Sequence, residues 1–254
     1  MTRYDADYIP RSAMAIYAHP DDVEFTVAGT VAKWADAGCD ITSVLVTSGN
    51  SGTHESEKYT RESLARVREE ESEAAGKIMG VSRIVFLRKS DCEIENTLEL
   101  RKLLIQQIRK FRPEVVLCGD PQSLFIGNRY INHPDHIAAA KAALGAVFPA
   151  SEMELLWPEL GKAHKVCAVY VSSTMQPDTW IDITATIERK IEALRAHRSQ
   201  LGDRNIAPMI YAWAAGEGET PFHKREKSDI KYAEPFRVMR LLKDEPVAED
   251  TADE

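Results

Sequence analysis

The sequence predicts an α/β protein built on a mostly parallel sheet with helices on both faces. Three observations predict it. Short apolar, β-branched runs alternate with longer amphipathic ones. The alternation repeats roughly every 25–30 residues, the spacing of a strand–helix–strand crossover. Residues able to carry chemistry follow directly after strands, where open parallel sheets place their ligands.

Taken in order, Ala13–Ala18 (AMAIYA) reads as a buried strand that ends at His19-Pro20-Asp21-Asp22. A helix follows over Val23–Ala37 and stops at Gly38, a residue suited to the position just past a helix end. Ile41–Thr47 is a second strand, and Ser48–Thr53 (SGNSGT) is a turn-rich loop. Arg61–Met79 is a charged helix whose narrow stripe of Leu64, Val67, Ala74, Ala75 and Ile78 faces inward, ended by Gly80. Arg83–Leu87 is a third strand. Leu98–Phe111 is a helix terminated by Pro113, and Glu114–Cys118 is a fourth strand. A long loop runs to His133, where Pro134 opens a helix reaching Phe148. Lys165–Ser172 is a fifth strand and Thr186–Ser199 a further helix. Tyr232–Leu242 fits either strand or helix.

Composition narrows the function. The chain has 254 residues, 44% of them hydrophobic, and a formal net charge of −8. Such a charge argues against nucleic acid as a partner, because phosphate contacts need clustered Lys and Arg. The length suits one domain over 1–242, followed by an acidic tail over 243–254 that is expected to be disordered. Cys39, Cys92, Cys118 and Cys167 form no paired motif, so they read as small apolar residues in a reducing cytoplasm. The charged N-terminus does not read as a signal peptide, and no apolar run is long enough to span a membrane.

Two clusters meet the demand for chemistry after strands: His19-Pro20-Asp21-Asp22-Val23-Glu24 and His133-Pro134-Asp135-His136. Each alone reads equally well as a helix N-cap. Both together, each after a strand, point to a metal site, since imidazole plus carboxylate with one open position is the ligand set of a catalytic zinc. His19 and Asp22 sit across one turn, and His136 lies one turn inside its own helix. These are the expected ligands, and iron or cobalt would also suit them. Zinc lowers the pKa of a water it holds to ~7, so Asp21 beside Asp22 is the candidate base. A protonated His133 is the candidate donor to a developing oxyanion, and Asp135 is the carboxylate expected to hold that imidazole. Asp120, after the fourth strand, reads as pocket wall or as loop cap. The Ser48–Thr53 loop reads as a turn at the rim, with His54 and Glu55 exposed. Arg61, Arg66 and Arg68 read as a solvated helix face. His164, His197 and His223 carry no pattern. Trp157, Trp180 and Trp213 fit core packing or sugar stacking alike.

These residues resemble the PIG-L/LmbE-like zinc N-deacetylases. The resemblance is carried by Ala18-His19-Pro20-Asp21-Asp22-Val23-Glu24-Phe25 with Gly29-Thr30, and by His133-Pro134-Asp135-His136. Weaker support comes from Arg68-x-x-Glu71 with Ala75 and Met79-Gly80-Val81, and from Tyr232-Ala233-Glu234-Pro235-Phe236. It implies a Rossmann-like fold, zinc on His19, Asp22 and His136, Asp21 as base, and His133 oriented by Asp135. It also implies a homo-oligomer, trimer or hexamer. Arg68 would then lie in the active site and contact substrate, with a surface ion pair to Glu71 as the competing reading. Thr26 and Ala28 depart from the family's glycines. Glu152–Leu160 and Gly202–Lys231 match nothing in it and are where substrate choice is expected to reside. The function so implied is hydrolysis of the N-acetyl group of a small amino sugar or glycoconjugate. The alternatives are a non-sugar N-acyl compound or thiol conjugate as substrate, or metal and sugar binding without turnover.

Overall fold

A computed structural model describes residues 6–126, 128, 130–218 and 230–241. Its centre is a seven-stranded sheet of order β3-β2-β1-β4-β7-β9-β8. The strands are β1 (Ser12–Tyr17), β2 (Asp40–Thr47), β3 (Arg83–Lys89), β4 (Val115–Gly119), β7 (Ala168–Ser172), β8 (Thr179–Asp182) and β9 (Ala233–Arg240). The first five in that spatial order run parallel, with Ala13 facing Ile41 on one side and Val115 on the other. β9 is antiparallel to both β7 and β8.

The period-2 geometry of β1 feeds two cores at once. Ala13, Ala15 and Tyr17 join Trp34, Met79, Ile181 and Phe236 on one face. Met14, Ile16 and Ala18 join Leu104, Ile108, Ala139 and Ala143 on the other. The first layer holds α2 (Ala28–Asp36), α3 (Arg61–Met79) and α6 (Ile187–Ala196); the second holds α4 (Leu98–Phe111) and α5 (Pro134–Val147). Buried on both sides, the central strands read as continuous apolar runs, as a parallel sheet requires.

Helix ends follow the local chemistry. Thr60 and Ser63 form a reciprocal capping box at the start of α3, and Gly80 closes it with φ 80°. Thr97 caps α4, and His133 caps α5 ahead of Pro134. The helix expected over Val23–Ala37 is two: α1 (Asp22–Thr26) and α2, broken at Val27. The break has a cause distant in sequence. Glu234 of β9 accepts from the amides of Gly29 (3.0 Å) and Thr30 (2.8 Å), so its carboxylate caps a new helix start. Lys190 of α6 pairs with that carboxylate at 2.6 Å, both side chains being about 5% exposed or less.

Further differences follow from tertiary context. Within the run Tyr232–Leu242, Ala233–Arg240 forms strand β9. β8 and a helix α8 (Ala207–Gly218) form where no element is expected. The long loop before His133 holds a hairpin of β5 (Phe125–Ile126) and β6 (Tyr130–Ile131). The helix expected over Thr186–Ser199 ends at Ala196, and α7 (Arg198–Leu201) follows after His197. The acidic tail 243–254 and His223 lie outside the described residues. No helix among the described residues is long and apolar enough to cross a membrane.

β2 and β3 lie to one side of β1, and β4 and β7 to the other. The carboxyl ends of β1 and β4 therefore flank the point where strand order reverses, the crevice in which doubly wound sheets bind ligands.

Candidate active site

Both histidine motifs open into that crevice. His19 and Asp22 follow β1, and Asp22 begins α1. His136 stands on the first turn of α5, whose His133 cap faces His19 with ring centroids 4.7 Å apart. The structure brings His19, Asp22 and His136 together, as expected from spacing. His19 Nδ1 and His136 Nε2 are 3.2 Å apart. Asp22 Oδ1 lies 3.0 Å from His136 Nε2, and Asp22 Oδ2 lies 3.6 Å from His19 Nδ1. Ligands ~2.0–2.1 Å from a tetrahedral zinc would be about 3.3 Å from one another, so the trio fits such an ion.

The outer partners of the two rings reinforce that fit. His19 Nε2 donates to Asp135 Oδ2 at 3.1 Å and lies 3.1 Å from Asp91 Oδ1. His136 Nδ1 donates to Asn132 Oδ1 at 2.9 Å. Those partners fix the tautomers and leave lone pairs on the two nitrogens that face each other. Two lone pairs at 3.2 Å repel unless a cation sits between them. Without a metal ion a proton takes that place: burial opposes a proton on His19, but hydrogen bonds to Asp135, Asp22 and Asp91 outweigh it and push its pKa up to about 12. Asp22 is held well below the usual range: burial opposes this, and His136 and His19 overcome it. Four carboxylates, Asp21, Asp22, Asp91 and Asp135, meet here with one buried guanidinium, that of Arg68. A divalent cation suits that excess of negative charge.

Asp21 is the left-handed N-cap of α1, with φ 93°, a conformation costly for a non-glycine residue. Its Oδ2 accepts from Arg68 Nη2 at 3.2 Å. Burial raises the Asp21 pKa, Arg68 opposes that, and the result is about 6. Arg68 corrects one expectation. It is 4% exposed, not part of a solvated face, and it does not pair with Glu71, whose carboxylate binds Ser199. Its guanidinium also donates to Pro20 O (2.7 Å) and Gly49 O (3.0 Å). Gly49, at φ 62°, leaves no room for a Cβ against that group. Arg68 thus braces Asp21 and the loop after β2 and, among the described residues, is not part of the wall of either cavity at the site.

Asp135 corrects another. Its carboxylate is directed at His19 and accepts from the amides of Cys92 (2.8 Å) and Ile94 (3.3 Å). His133 is held instead by the Asp135 backbone amide, which donates to its Nδ1 at 3.2 Å. That bond places the His133 proton on Nε2, which lies 3.4 Å from Cys92 Sγ. Burial, then the nearby His19, lower the His133 pKa, so the ring is a neutral donor rather than an imidazolium. Cys92, read from sequence as a small apolar residue, is exposed with φ 66°.

Three site residues escape the sequence reading: Asp91, Asn132 and Cys92. Asp91 and Cys92 follow β3, so the strand-end rule that found the two histidine motifs would have found them. Asp91 is 5% exposed, bonds the Ser51 amide at 3.1 Å, and is held well below the ordinary carboxylate range: burial opposes this, but His19 overcomes it. The loop after β2 is therefore a brace, while His54 and Glu55 beyond it are exposed as expected. His197 is fully buried with Nε2 3.3 Å from Glu24 Oε1, and His164 bonds Pro113 O.

A cavity of about 900 Å³ opens beside Asp22 and His136, with Asp120, Tyr130 and Trp213 in its wall. Asp120 serves both of its readings, since its Oδ1 also caps the Gln122 amide at 2.8 Å. Trp213 is 58% exposed at the rim, while Trp157 and Trp180 are half-buried elsewhere. Asp21 lines a second cavity of about 550 Å³ that shares Phe25 with the first.

The chain is similar to known proteins. The chain is 35% identical over 232 residues to the diacetylchitobiose deacetylase of Thermococcus kodakarensis, covering 90% of this chain and 83% of the relative. It is 28% identical over 203 residues to the probable N-acetyl-alpha-D-glucosaminyl L-malate deacetylase 2 of Bacillus anthracis, covering 76% and 83%. The structure of the N,N'-diacetylchitobiose deacetylase from Pyrococcus horikoshii superposes with a TM-score of 0.81 at 28% identity, covering 93% of this chain and 88% of that one. The PIG-L family, described as GlcNAc-PI de-N-acetylase, matches residues 14–147, which span both histidine motifs. On the fold, the sites after β1 and β4 and that match, the chain belongs to the PIG-L/LmbE family of N-deacetylases.

Proposed function

We propose that the protein hydrolyses the N-acetyl group of a small amino sugar or glycoconjugate, with zinc held by His19, Asp22 and His136. The observation that carries this reading is the 3.2 Å approach of two imidazole nitrogens beside the Asp22 carboxylate, at the point where strand order reverses. When bound, zinc supplies Lewis acidity toward an amide carbonyl and toward a water.

The chain's own residues do the rest. Asp21 takes a proton from the attacking water, and Arg68 holds that carboxylate in place. His133, its proton fixed on Nε2 by the Asp135 amide, donates to the carbonyl oxygen as that oxygen gains charge. Asp135 and Asp91 keep His19 in the ligating tautomer, and Asn132 does so for His136. Collapse then sends the proton from Asp21 to the departing amine, leaving acetate.

We further place the enzyme in the cytoplasm, as one domain over residues 1–242 that assembles as a trimer or hexamer. The free cysteines support a reducing compartment. Exposed Leu155, Ile131 and Phe125 support association.

Metal analysis combined with acetate release from acetylated sugars and non-sugar amides tests the reading. Zinc-dependent acetate release from the sugars, lost in Asp21→Asn, is the expected result. Turnover of non-sugar amides alone rejects the sugar assignment, and an equally active variant rejects Asp21 as the base.

A further inference from the structure

The large cavity continues well beyond the metal trio, and its chemistry bears on what the acetylated sugar carries. Apart from Asp22 and His136, every charged residue in its described wall is already engaged by protein. Lys190 and Glu234 hold each other, and Glu234 also caps Gly29 and Thr30. Glu217 accepts from Trp180 Nε1 at 2.8 Å, and Asp120 from the Gln122 amide. The remaining wall is dominated by side chains such as Phe25, Ile126, Met175, Ile210, Trp213 and Pro235. Three apolar or aromatic side chains of the wall stand exposed: Met175 at 61%, Trp213 at 58% and Tyr130 at 49%.

A volume of about 900 Å³ is near the upper end of the roughly 300–1,000 Å³ usual for small-molecule sites, more than one acetamido sugar requires. A second sugar ring placed there would shed its hydration, and among the described residues the wall offers it little beyond the hydroxyls of Tyr130, Ser173 and Thr174; unpaired hydroxyls are costly to bury. An apolar group loses nothing by that move and gains from leaving water.

From this wall we infer that the substrate is an acetamido sugar bearing an apolar aglycone, aryl or alkyl, and that the cavity bounded by Phe25, Met175 and Trp213 receives that group in place of a second sugar. The inference rests on the deacetylase reading above and names the chemistry of the leaving-amine side of the same site.

The test compares the zinc-loaded full chain on N,N'-diacetylchitobiose and on phenyl 2-acetamido-2-deoxy-β-glucopyranoside, by acetate release. The phenyl glycoside should have a kcat/KM about ten-fold higher or more, chiefly through KM. Trp213→Ala should bring that ratio toward one through KM for the phenyl glycoside. Equal or better turnover of the disaccharide overturns the inference while leaving the deacetylase reading intact. If neither substrate releases acetate, that outcome counts against the deacetylase reading, and calorimetric Kd values for the phenyl glycoside and chitobiose decide the aglycone separately. Tighter phenyl binding supports it, and tighter chitobiose binding overturns it.

Discussion

Asp135 directs its carboxylate at Nε2 of His19, 3.1 Å away, and gives only its backbone amide to His133. One residue of the second motif thus sets the tautomer of an imidazole in the first. Asp135→Ala is expected to lower zinc affinity about 10–100-fold, as loss of such an outer partner usually does. Competitive titration against a chelator measures this, and an unchanged affinity would show that Asp91 alone orients His19.

In the proposed mechanism Asp21 supplies chemistry and does not hold the ion. Asp21→Asn should lower kcat by about 10²–10⁴-fold, the usual contribution of a positioned base, at unchanged zinc content. A variant that loses metal and activity together would make Asp21 a ligand instead.

Arg68 shapes the pH profile through Asp21. Its cation favours the ionised carboxylate, so removing it raises the Asp21 pKa. The base must be ionised to act. In Arg68→Gln the acid limb of kcat/KM should therefore move to higher pH, with activity lost earlier as pH falls. A limb that stays in place would separate Arg68 from the base.

The buried Lys190–Glu234 pair bears on stability. Lys190→Met leaves a carboxylate only 3% exposed without its ammonium partner and should cost about 3–5 kcal/mol in denaturant unfolding. Adding Glu234→Leu should recover only part of this, because Gly29 and Thr30 then lose their acceptor. Full recovery would mean that the cap contributes nothing.

Removal of the metal should abolish acetate release and leave the sheet folded, since the two apolar cores lie on either side of the sheet. Zinc at a hundred times its Kd should then stabilise the protein by about 2.7 kcal/mol. Circular dichroism and thermal unfolding of the stripped and reloaded protein check both statements.

Much of this was legible in the sequence wherever the information is local. His19, Asp22 and His136 are found by spacing because strand ends and helix starts are written in neighbouring residues. β8 and the strand character of β9 were not, because their pairing partners lie far along the chain. Arg68 was misread although the signal was present: it falls four residues after buried Leu64, on the inward stripe of α3, where a charge needs a partner. The partner of Asp135 could not be read at all. Two residues from His133 in sequence, its side chain still turns to an imidazole across the crevice. The split at Val27 had the same character, since an unbroken amphipathic pattern gives no hint of a cap from β9.

That cap has a consequence for how the protein is made. Glu234 lies 205 residues after Gly29. On the ribosome, the turn bearing His19 and Asp22 emerges well before Glu234, so the start of α2 stays without its acceptor until about 205 further residues have been synthesised. If the turn that carries His19 and Asp22 depends on that cap, a nascent chain stalled before residue 234 should capture zinc poorly.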